Sequence, residues 1–132
     1  MRSVIISVSL FTLLSVFIIF NAYYINSMST ELLDLIFSVP SDYEYLINLD
    51  TAEFEKYKAK INQIVDKWEK NAFRVSLVTK YQDFERINLG VYSLKNYFFS
   101  GSYDNYMLTR DKLIIALEKQ KQNELANLEN IL

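Results

Sequence analysis

The chain contains 132 residues with a formal net charge of −2, and it has neither cysteine nor histidine. Without cysteine no disulfide can staple the fold, and without histidine the chain lacks the usual base at physiological pH and the commonest metal ligand. Its 14 basic side chains do not outnumber its 16 acidic ones, so nothing provides a basic excess for neutralising phosphates and nucleic acid is not an expected partner.

The composition also indicates the fold class. Apolar residues make up 51% of the chain and aromatic residues 15%, which is enough to build a core. Two glycines and one proline are too few for the turns of a many-stranded protein, so we expect an all-α fold. After the apolar N-terminal segment roughly 100 residues remain, which predicts one small antiparallel helical bundle.

The N-terminal segment is the first predicted element. Residues 3–20 (SVIISVSLFTLLSVFIIF) form a run without a charged side chain. At about 1.5 Å per residue this run covers roughly 27 Å, close to the roughly 30 Å hydrocarbon core of a bilayer. Tyr23 and Tyr24 follow, and tyrosine is typical of the headgroup layer. The sequence therefore predicts a transmembrane anchor over residues 1–28 and an extracytoplasmic domain over residues 29–132.

The flanking charges predict the orientation of this anchor. Arg2 precedes the span, whereas residues 31–55 on the other side are acidic and contain no lysine or arginine. Since positive charge favours the cytoplasmic side, we expect a single-pass protein of the cell membrane with its N-terminus in the cytoplasm. A cleaved secretory signal is the alternative, although Ser27-Met28-Ser29 is a poor cleavage site. A lipid-modified anchor is excluded, because it would need a cysteine and the chain has none.

The spacing of apolar residues predicts the remaining helices. The first continues the anchor until Pro40, whose ring and missing N–H end a helix. A capping side chain at Asp50 precedes the next long helix. The predicted elements are helices over residues 29–39, 51–71, 77–99 and 103–130, with a short helical turn over 42–48.

Two positions within these helices carry specific expectations. No glycine or proline lies between residues 52 and 89. A single helix over residues 51–99 could not bury its own apolar stripe. We therefore expect a tight turn within residues 71–76, with Asn71 in the left-handed conformation. Gly90 lies inside the third long helix and predicts the close approach of a large neighbour such as Trp68.

The same periodicity predicts the core. Spacings of three and four residues place the larger apolar side chains on one face of each helix. The polar stretch over residues 118–124 interrupts this face in the last helix, so we expect its final turns to pack weakly or to seek a partner. The predicted core is Phe54, Tyr57, Ile61, Ile64, Trp68, Tyr81, Phe84, Val91, Leu94, Leu113 and Leu117, and the last helix adds Tyr106, Leu125, Leu128 and Leu132.

Several segments resemble a known family. The N-terminal anchor, Trp68, the stretch Lys80-Tyr81-Gln82-Asp83-Phe84-Glu85-Arg86-Ile87 and the closing Asn130-Ile131-Leu132 are together similar to the small single-span bacterial proteins grouped as domain of unknown function 4363. The resemblance covers nearly the whole chain. It implies a membrane-anchored helical domain of Gram-positive, spore-forming bacteria and supplies no activity. Members of that family often have a histidine where this chain has Tyr81, so histidine chemistry does not carry over.

No pattern in the sequence indicates catalysis or a cofactor. Asp104, Asp111 and Glu118 recur every seven residues, which is typical of a solvated acidic face of a helix. A di-iron bundle would need the Glu-x-x-His motif, and a serine nucleophile would need a base such as histidine. We therefore expect a protein that is not an enzyme and that holds no metal or cofactor.

Two clusters are candidate contact surfaces. The aromatic residues around the last turn, Tyr92, Tyr97, Phe98, Phe99, Tyr103 and Tyr106, are either end packing of a narrow bundle or a patch for a protein partner. The other cluster, Lys70, Phe73, Arg74 and Val75, is a basic and apolar turn. If the helices alternate in direction this turn faces the bilayer, where anionic lipid attracts basic residues.

These observations lead to a functional hypothesis. We expect a non-catalytic, membrane-tethered interaction or accessory module that docks another membrane or envelope protein. A ligand-responsive sensory domain that signals through a membrane partner is the alternative, since a cytoplasmic segment of only Met1 and Arg2 could not itself relay a signal.

Overall fold

The computed structural model describes residues 1–131, with the side chains of residues 1–130, so the expectation for Leu132 lies outside the described residues. The described residues form helices joined by short turns, and they contain no strand. Its elements are α1 (Arg2–Phe37), α2 (Tyr43–Ile47), α3 (Thr51–Val78), α4 (Tyr81–Phe99) and α5 (Tyr103–Ile131).

Helix α1 is continuous but lies in two different surroundings. No side chain in residues 1–20 is buried, and this part is apolar on every face. From Asn21 onward one face is covered by the other helices, at Ala22, Ile25, Leu32 and Ile36. These positions are three, four or seven residues apart and so form one stripe, which makes the second half of α1 a core helix of the bundle.

Side chains of aspartate start the next two helices. The Asp42 carboxylate accepts a hydrogen bond from the Glu44 N–H at 3.1 Å, and the Asp50 carboxylate accepts one from the Glu53 N–H at 2.7 Å. Each bond satisfies a backbone donor that has no partner within the helix. Helix α3 therefore begins at Thr51, at the position expected from the sequence.

The expected break within residues 71–76 is wrong. Helix α3 continues to Val78, and the chain turns at Thr79 and Lys80, both of which are extended. Asn71 stays helical because its amide group donates to the Lys67 carbonyl at 2.7 Å and its Oδ1 accepts a hydrogen bond from the Tyr24 hydroxyl. The seam of the long α3 is buried against α1 and α4, so the helix does not need to fold back on itself.

The four long helices enclose one core. Helices α1 and α4 each contact both α3 and α5, and the short α2 lies on α5. Helices α4 and α5 approach closely at Gly90, where an added Cβ would lie 2.9 Å from Cδ1 of Leu113. Leu113, rather than the expected Trp68, is thus the large neighbour of this glycine. Trp68 instead donates from Nε1 to Asn88 Oδ1 at 2.9 Å.

Most of the expected core residues lie in the interior. Ile61, Ile64, Trp68, Val91, Leu94, Leu113 and Leu117 are buried. Phe54, Tyr57, Phe84 and Leu128 are half-buried. Tyr81 and Leu125 are corrections, because they are 74% and 51% exposed. Tyr81 occupies the first position of α4, directly after the turn, so it does not continue the buried face of α3.

The contrast between two aromatic residues gives a stability test. Trp68→Ala removes a fully buried side chain and leaves Asn88 without its partner, so we expect the free energy of unfolding to fall by about 3–5 kcal/mol. Tyr81→Ala removes an exposed side chain and should change it by less than about 0.5 kcal/mol. Thermal unfolding of the full chain in detergent micelles, followed by circular dichroism, measures both. Equal losses for the two variants would contradict this packing.

Candidate functional site

The described residues provide no cluster of side chains that could hold a metal ion. They contain no group of three or more carboxylates placed to hold a metal ion. Asp104, Asp111 and Glu118 are all exposed, as expected for a solvated face. The candidate sites are therefore surfaces and cavities, and they lie at the two ends of the bundle and along one side of it.

The aromatic cluster lies at the end of the bundle where α4 turns into α5. Phe98 and Tyr106 are fully buried, so including them in a partner patch was wrong. The Phe98 ring lies 5.3 Å from the rings of both Phe54 and Tyr106, and these contacts fill the end of the core. Tyr97, Phe99 and Tyr103 are half-buried around them. This cluster is mainly end packing of the bundle.

Two tyrosine hydroxyls at and near this end link separate parts of the chain. The buried Tyr106 hydroxyl donates to the Pro40 carbonyl at 2.8 Å, which connects α5 to the segment after α1. Burial raises the pKa of Tyr106 well above its usual range. Tyr92, 38% exposed on the outside of α4, donates to the Glu69 carboxylate at 3.0 Å. Desolvation and this carboxylate raise the pKa of Tyr92.

The uncovered part of α1 is the largest exposed apolar surface. Apart from the half-buried Ile18 and Ile19, the large apolar side chains from Val4 to Phe20 are 57–71% exposed. The mean hydropathy of the best 18-residue window of this helix is 2.6. Ser7 and Thr12 donate their hydroxyl hydrogens to the carbonyls of Ser3 and Val8, so these polar groups are satisfied within the helix. This N-terminal helix is long and apolar enough to cross a membrane.

Helix α3 holds α1 where its uncovered part ends. The guanidinium carbon of Arg74 lies 3.8 Å from the ring centroid of Tyr24 and 5.2 Å from that of Phe20. An ion pair between Lys67 and Glu31 follows further along the same two helices. Cation–π contacts and this pair fix the angle at which α1 leaves the bundle.

The predicted lipid-facing turn lies at the same level but is only partly exposed. Lys70 is exposed, Phe73 is 77% exposed and Arg74 is half-buried. Val75 is fully buried, so its place in a lipid-facing surface was wrong. It lies on the opposite face of α3 from Phe73, because the two residues are two positions apart in a helix.

Two further residues extend this apolar surface. Leu77 and Tyr81 are 68% and 74% exposed, and with Phe73 they are spaced four residues apart across the turn from α3 to α4. We call Phe73, Leu77 and Tyr81 the end face. Of these residues, Phe73 was predicted in the lipid-facing turn, whereas Tyr81 was predicted in the core.

Two adjoining cavities open beside the end face. The polar cavity, about 210 Å³, lies between the α3–α4 turn and α5. The lower cavity, about 510 Å³, lies against the uncovered part of α1. The polar cavity is lined by Val78, Thr79, Lys80, Asp83, Gln120, Asn123, Glu124, Ala126 and Asn127, and the lower cavity by Phe17, Ile18, Asn21, Leu77, Val78, Glu124, Asn127 and Asn130.

Sequence analysis missed the polar cavity. Gln120 is 3% exposed, its Oε1 accepts a hydrogen bond from the Ser29 hydroxyl at 3.5 Å, and its Nε2 has no hydrogen-bond partner among the described residues. Burial raises the pKa of the Glu124 carboxyl, and a hydrogen bond from Asn127 lowers it by less. The only signal in the sequence is the polar stretch over residues 118–124, which interrupts the apolar face of α5.

A groove also runs between α4 and α5 on the side of the bundle. Its volume is about 480 Å³. Leu113 gives it an apolar floor, and the small side chain of Ala116 and the missing one of Gly90 leave room above that floor. Exposed Leu89 and Ile115 contribute apolar edges. The charged side chains that line the groove are all basic: Arg86, Lys112 and Lys119.

Comparisons with known proteins give no relative for this chain. No protein-family model, no curated protein and no solved structure matches it. The resemblance to domain of unknown function 4363 therefore stays a prediction, and the function has to be argued from the surfaces described above.

The hydrogen bond between Tyr106 and Pro40 gives a second stability test. Tyr106→Phe leaves the Pro40 carbonyl without its partner in a half-buried position, so we expect the free energy of unfolding to fall by about 1–3 kcal/mol. Tyr103→Phe is the matched control, because within the described residues no hydrogen bond involves the Tyr103 hydroxyl. Chemical denaturation in detergent measures both variants, and a neutral Tyr106→Phe would show that the bond contributes nothing.

Proposed function

We propose that this protein is a membrane-tethered accessory module. Residues 3–20 of α1 cross the bilayer with the N-terminus in the cytoplasm, and the rest of the chain forms an antiparallel four-helix bundle outside that docks another membrane or envelope protein. The observation that carries the proposal is the continuity of α1, whose uncovered half leads without a linker into its buried half.

The contacts between helices support the antiparallel arrangement. Along α1, Tyr24 meets Asn71 and the later Glu31 meets the earlier Lys67, so α1 and α3 run in opposite directions. Trp68 contacts Asn88 while Phe54 contacts Phe98, so α3 and α4 are also opposed. The same order holds between α1 and α5, where Ser29 meets Gln120 and Pro40 meets Tyr106. Each long helix therefore returns along its neighbour.

The end face supports a position at the membrane surface. Phe73, Leu77 and Tyr81 are exposed at the level where α1 loses its cover, and Leu77 shares the lower cavity with Phe17 and Ile18 of the uncovered part. Apolar side chains beside a membrane span are stable in the headgroup layer, and Lys70 and Lys80 nearby favour anionic lipid. The bundle thus rests on the bilayer through the turn between α3 and α4.

The groove between α4 and α5 is the surface that best fits a protein partner. Its apolar floor and exposed Ile115 match an amphipathic helix, and its basic edge calls for carboxylates on that helix. The partner that this chemistry selects is a helix with an apolar face and an acidic border, in a protein that reaches the same membrane surface.

Labelling of introduced cysteines tests the anchoring and the orientation, since the natural chain has no cysteine. With an impermeant thiol reagent added to intact cells, Ser100→Cys should label from outside. Phe73→Cys, although exposed in the bundle, should label far more slowly because lipid covers it.

Two results would contradict this arrangement. Labelling of Ser100→Cys only after the cells are opened would reverse the orientation. Recovery of a chain that begins near Thr30 would show that residues 1–28 are a cleaved signal.

Crosslinking from the groove tests the docking. A photoreactive residue at position 115 should crosslink to one membrane protein with an acidic amphipathic helix, and Lys112→Glu should lower that yield about tenfold through charge repulsion. The matched controls are a photoreactive residue at Gln63, exposed on α3, and Lys56→Glu, far from the groove. Equal yields at positions 63 and 115, or no effect of Lys112→Glu, would exclude the groove as the docking surface.

A further inference from the structure

A cavity opens between α1 and α3 at the level where the uncovered part of α1 ends. Its volume is about 430 Å³, and it follows α1 from Phe20 to Glu31. The rings of Phe20, Tyr23 and Tyr24 line the end nearest the uncovered part. Glu31 and Lys67 line the other end, where they form an ion pair. The cavity therefore begins with aromatic residues beside the apolar half of α1 and ends at a neutralised pair of charges.

Arg74 lies at the aromatic end of this cavity. Lys67, Asn71 and Arg74 are four and three residues apart, so they lie on one face of α3. The guanidinium carbon of Arg74 lies 3.8 Å from the ring centroid of Tyr24 and 5.2 Å from that of Phe20. A guanidinium stacked on an aromatic ring makes contact through its flat side, and its N–H groups point outward in its own plane. Stacking thus holds Arg74 in place without using its hydrogen-bond donors.

Arg74 has no counter-charge within the described residues. It belongs to none of the ion pairs there, and no side-chain hydrogen bond involves it. None of its nitrogen atoms is buried, so its N–H groups are accessible to a ligand. Lys70, exposed and four residues earlier, is also unpaired, and the preceding Asp66 does not bind it. Because residues four apart are neighbours on a helix, two adjacent positive charges lack an anion.

The place of Arg74 along α1 corresponds to the headgroup layer in the proposed membrane arrangement. Phe20 is the last residue of the run that is proposed to cross the bilayer, and Tyr24 lies about 6 Å further along the helix axis. Arg74 contacts both rings, so it lies at the depth where tyrosine is typical and where basic side chains meet lipid phosphates.

We propose that Arg74 and Lys70 form a binding site for the phosphate of one anionic phospholipid. The Arg74 guanidinium donates two parallel hydrogen bonds to phosphate oxygens, Lys70 contributes the second positive charge, and the acyl chains lie beside the uncovered part of α1 from Phe20 downward. This assignment rests on the proposed insertion of α1 in the membrane, since only then does Arg74 meet the phosphates of lipids.

Charge separates this lipid class from its alternatives. Ethanolamine and choline headgroups carry a positive charge next to their phosphate, which Lys70 would repel. The carboxylate that lines the cavity, Glu31, could not balance that charge because it is already paired with Lys67. A glycerol headgroup has no cation, so the two basic side chains meet the negative charge alone. A free phosphate ion has this charge but lacks the acyl chains that hold a lipid beside α1.

Native mass spectrometry of the full chain from nanodiscs tests the proposal. The discs contain choline lipid with equal minor amounts of glycerol and ethanolamine phospholipids, and the number and mass of retained lipids are measured. We expect one retained glycerol phospholipid, at about tenfold higher occupancy than the ethanolamine lipid. Arg74→Gln should reduce this preference about tenfold, and Arg74→Lys about threefold, because lysine keeps the charge but loses the stacking and the paired donors.

Matched controls separate a defined site from general attraction and from folding. Lys80→Gln removes one positive charge at the same end of the bundle, from an exposed lysine that lines the polar cavity instead, and should keep the preference. Since Arg74 also packs on α1, the melting temperature of each variant is measured. Lys70→Gln changes an exposed side chain that forms no ion pair, so it tests the site without altering the packing and should lower the preference about threefold.

The outcomes distinguish this proposal from the membrane proposal on which it rests. A chain that enters the discs but retains all three lipids equally overturns the phosphate site and leaves the anchoring intact. Equal effects of Arg74→Gln and Lys80→Gln, or an unchanged preference in Arg74→Lys and Lys70→Gln, do the same. A chain that does not enter discs overturns the anchoring. Displacement of the lipid by inorganic phosphate at equal concentration would assign the site to a free anion and overturn the lipid assignment.

Discussion

The structure depends on α1, a single helix whose two halves have different surroundings. The first part of α1 is apolar on every side and has no buried side chain, whereas the second part has one apolar stripe and is covered by α3 and α5. No proline or glycine separates these parts, so the helix cannot bend sharply between them. The buried residues of α1 begin at Asn21. The position of the bundle along α1, and so of each of its surfaces, follows from that residue.

The sequence predicted the helical class, the cap at Asp50 and most of the interior, because these follow from local spacing. It did not predict the turn between α3 and α4. Asn71 has the preference for a left-handed conformation that suggested a break, but the hydroxyl of Tyr24, distant in sequence, holds it in the helix. Tyr81 and Val75 were assigned to the wrong surfaces for a related reason. Because the turn lies at Thr79, Val75 stays on the buried face of α3 and Tyr81 lies at the exposed start of α4.

The candidate sites were harder to predict than the fold. The sequence left open whether the aromatic residues near Gly101 are end packing or a partner patch. The rings of Phe54, Phe98 and Tyr106 complete the core of a narrow bundle and leave only its margin exposed. The polar cavity combines the turn at Thr79 with Gln120 and Glu124, which lie about forty residues later. No local pattern brings such residues together. Packing of α4 against α5 does so, through the missing side chain of Gly90.

In the proposed membrane arrangement, the unbroken path of α1 also fixes the rotational orientation of the bundle relative to the membrane-spanning part. Successive residues of an α-helix are rotated by about 100° about its axis. The stacking of Arg74 on Tyr24 and Phe20 opposes rotation of the other helices about α1. If residues 3–20 cross the bilayer as proposed, the side of α1 that faces a neighbouring span determines the direction in which the groove between α4 and α5 points. A rotation of residues 3–20 about the helix axis would therefore rotate the whole bundle by the same angle.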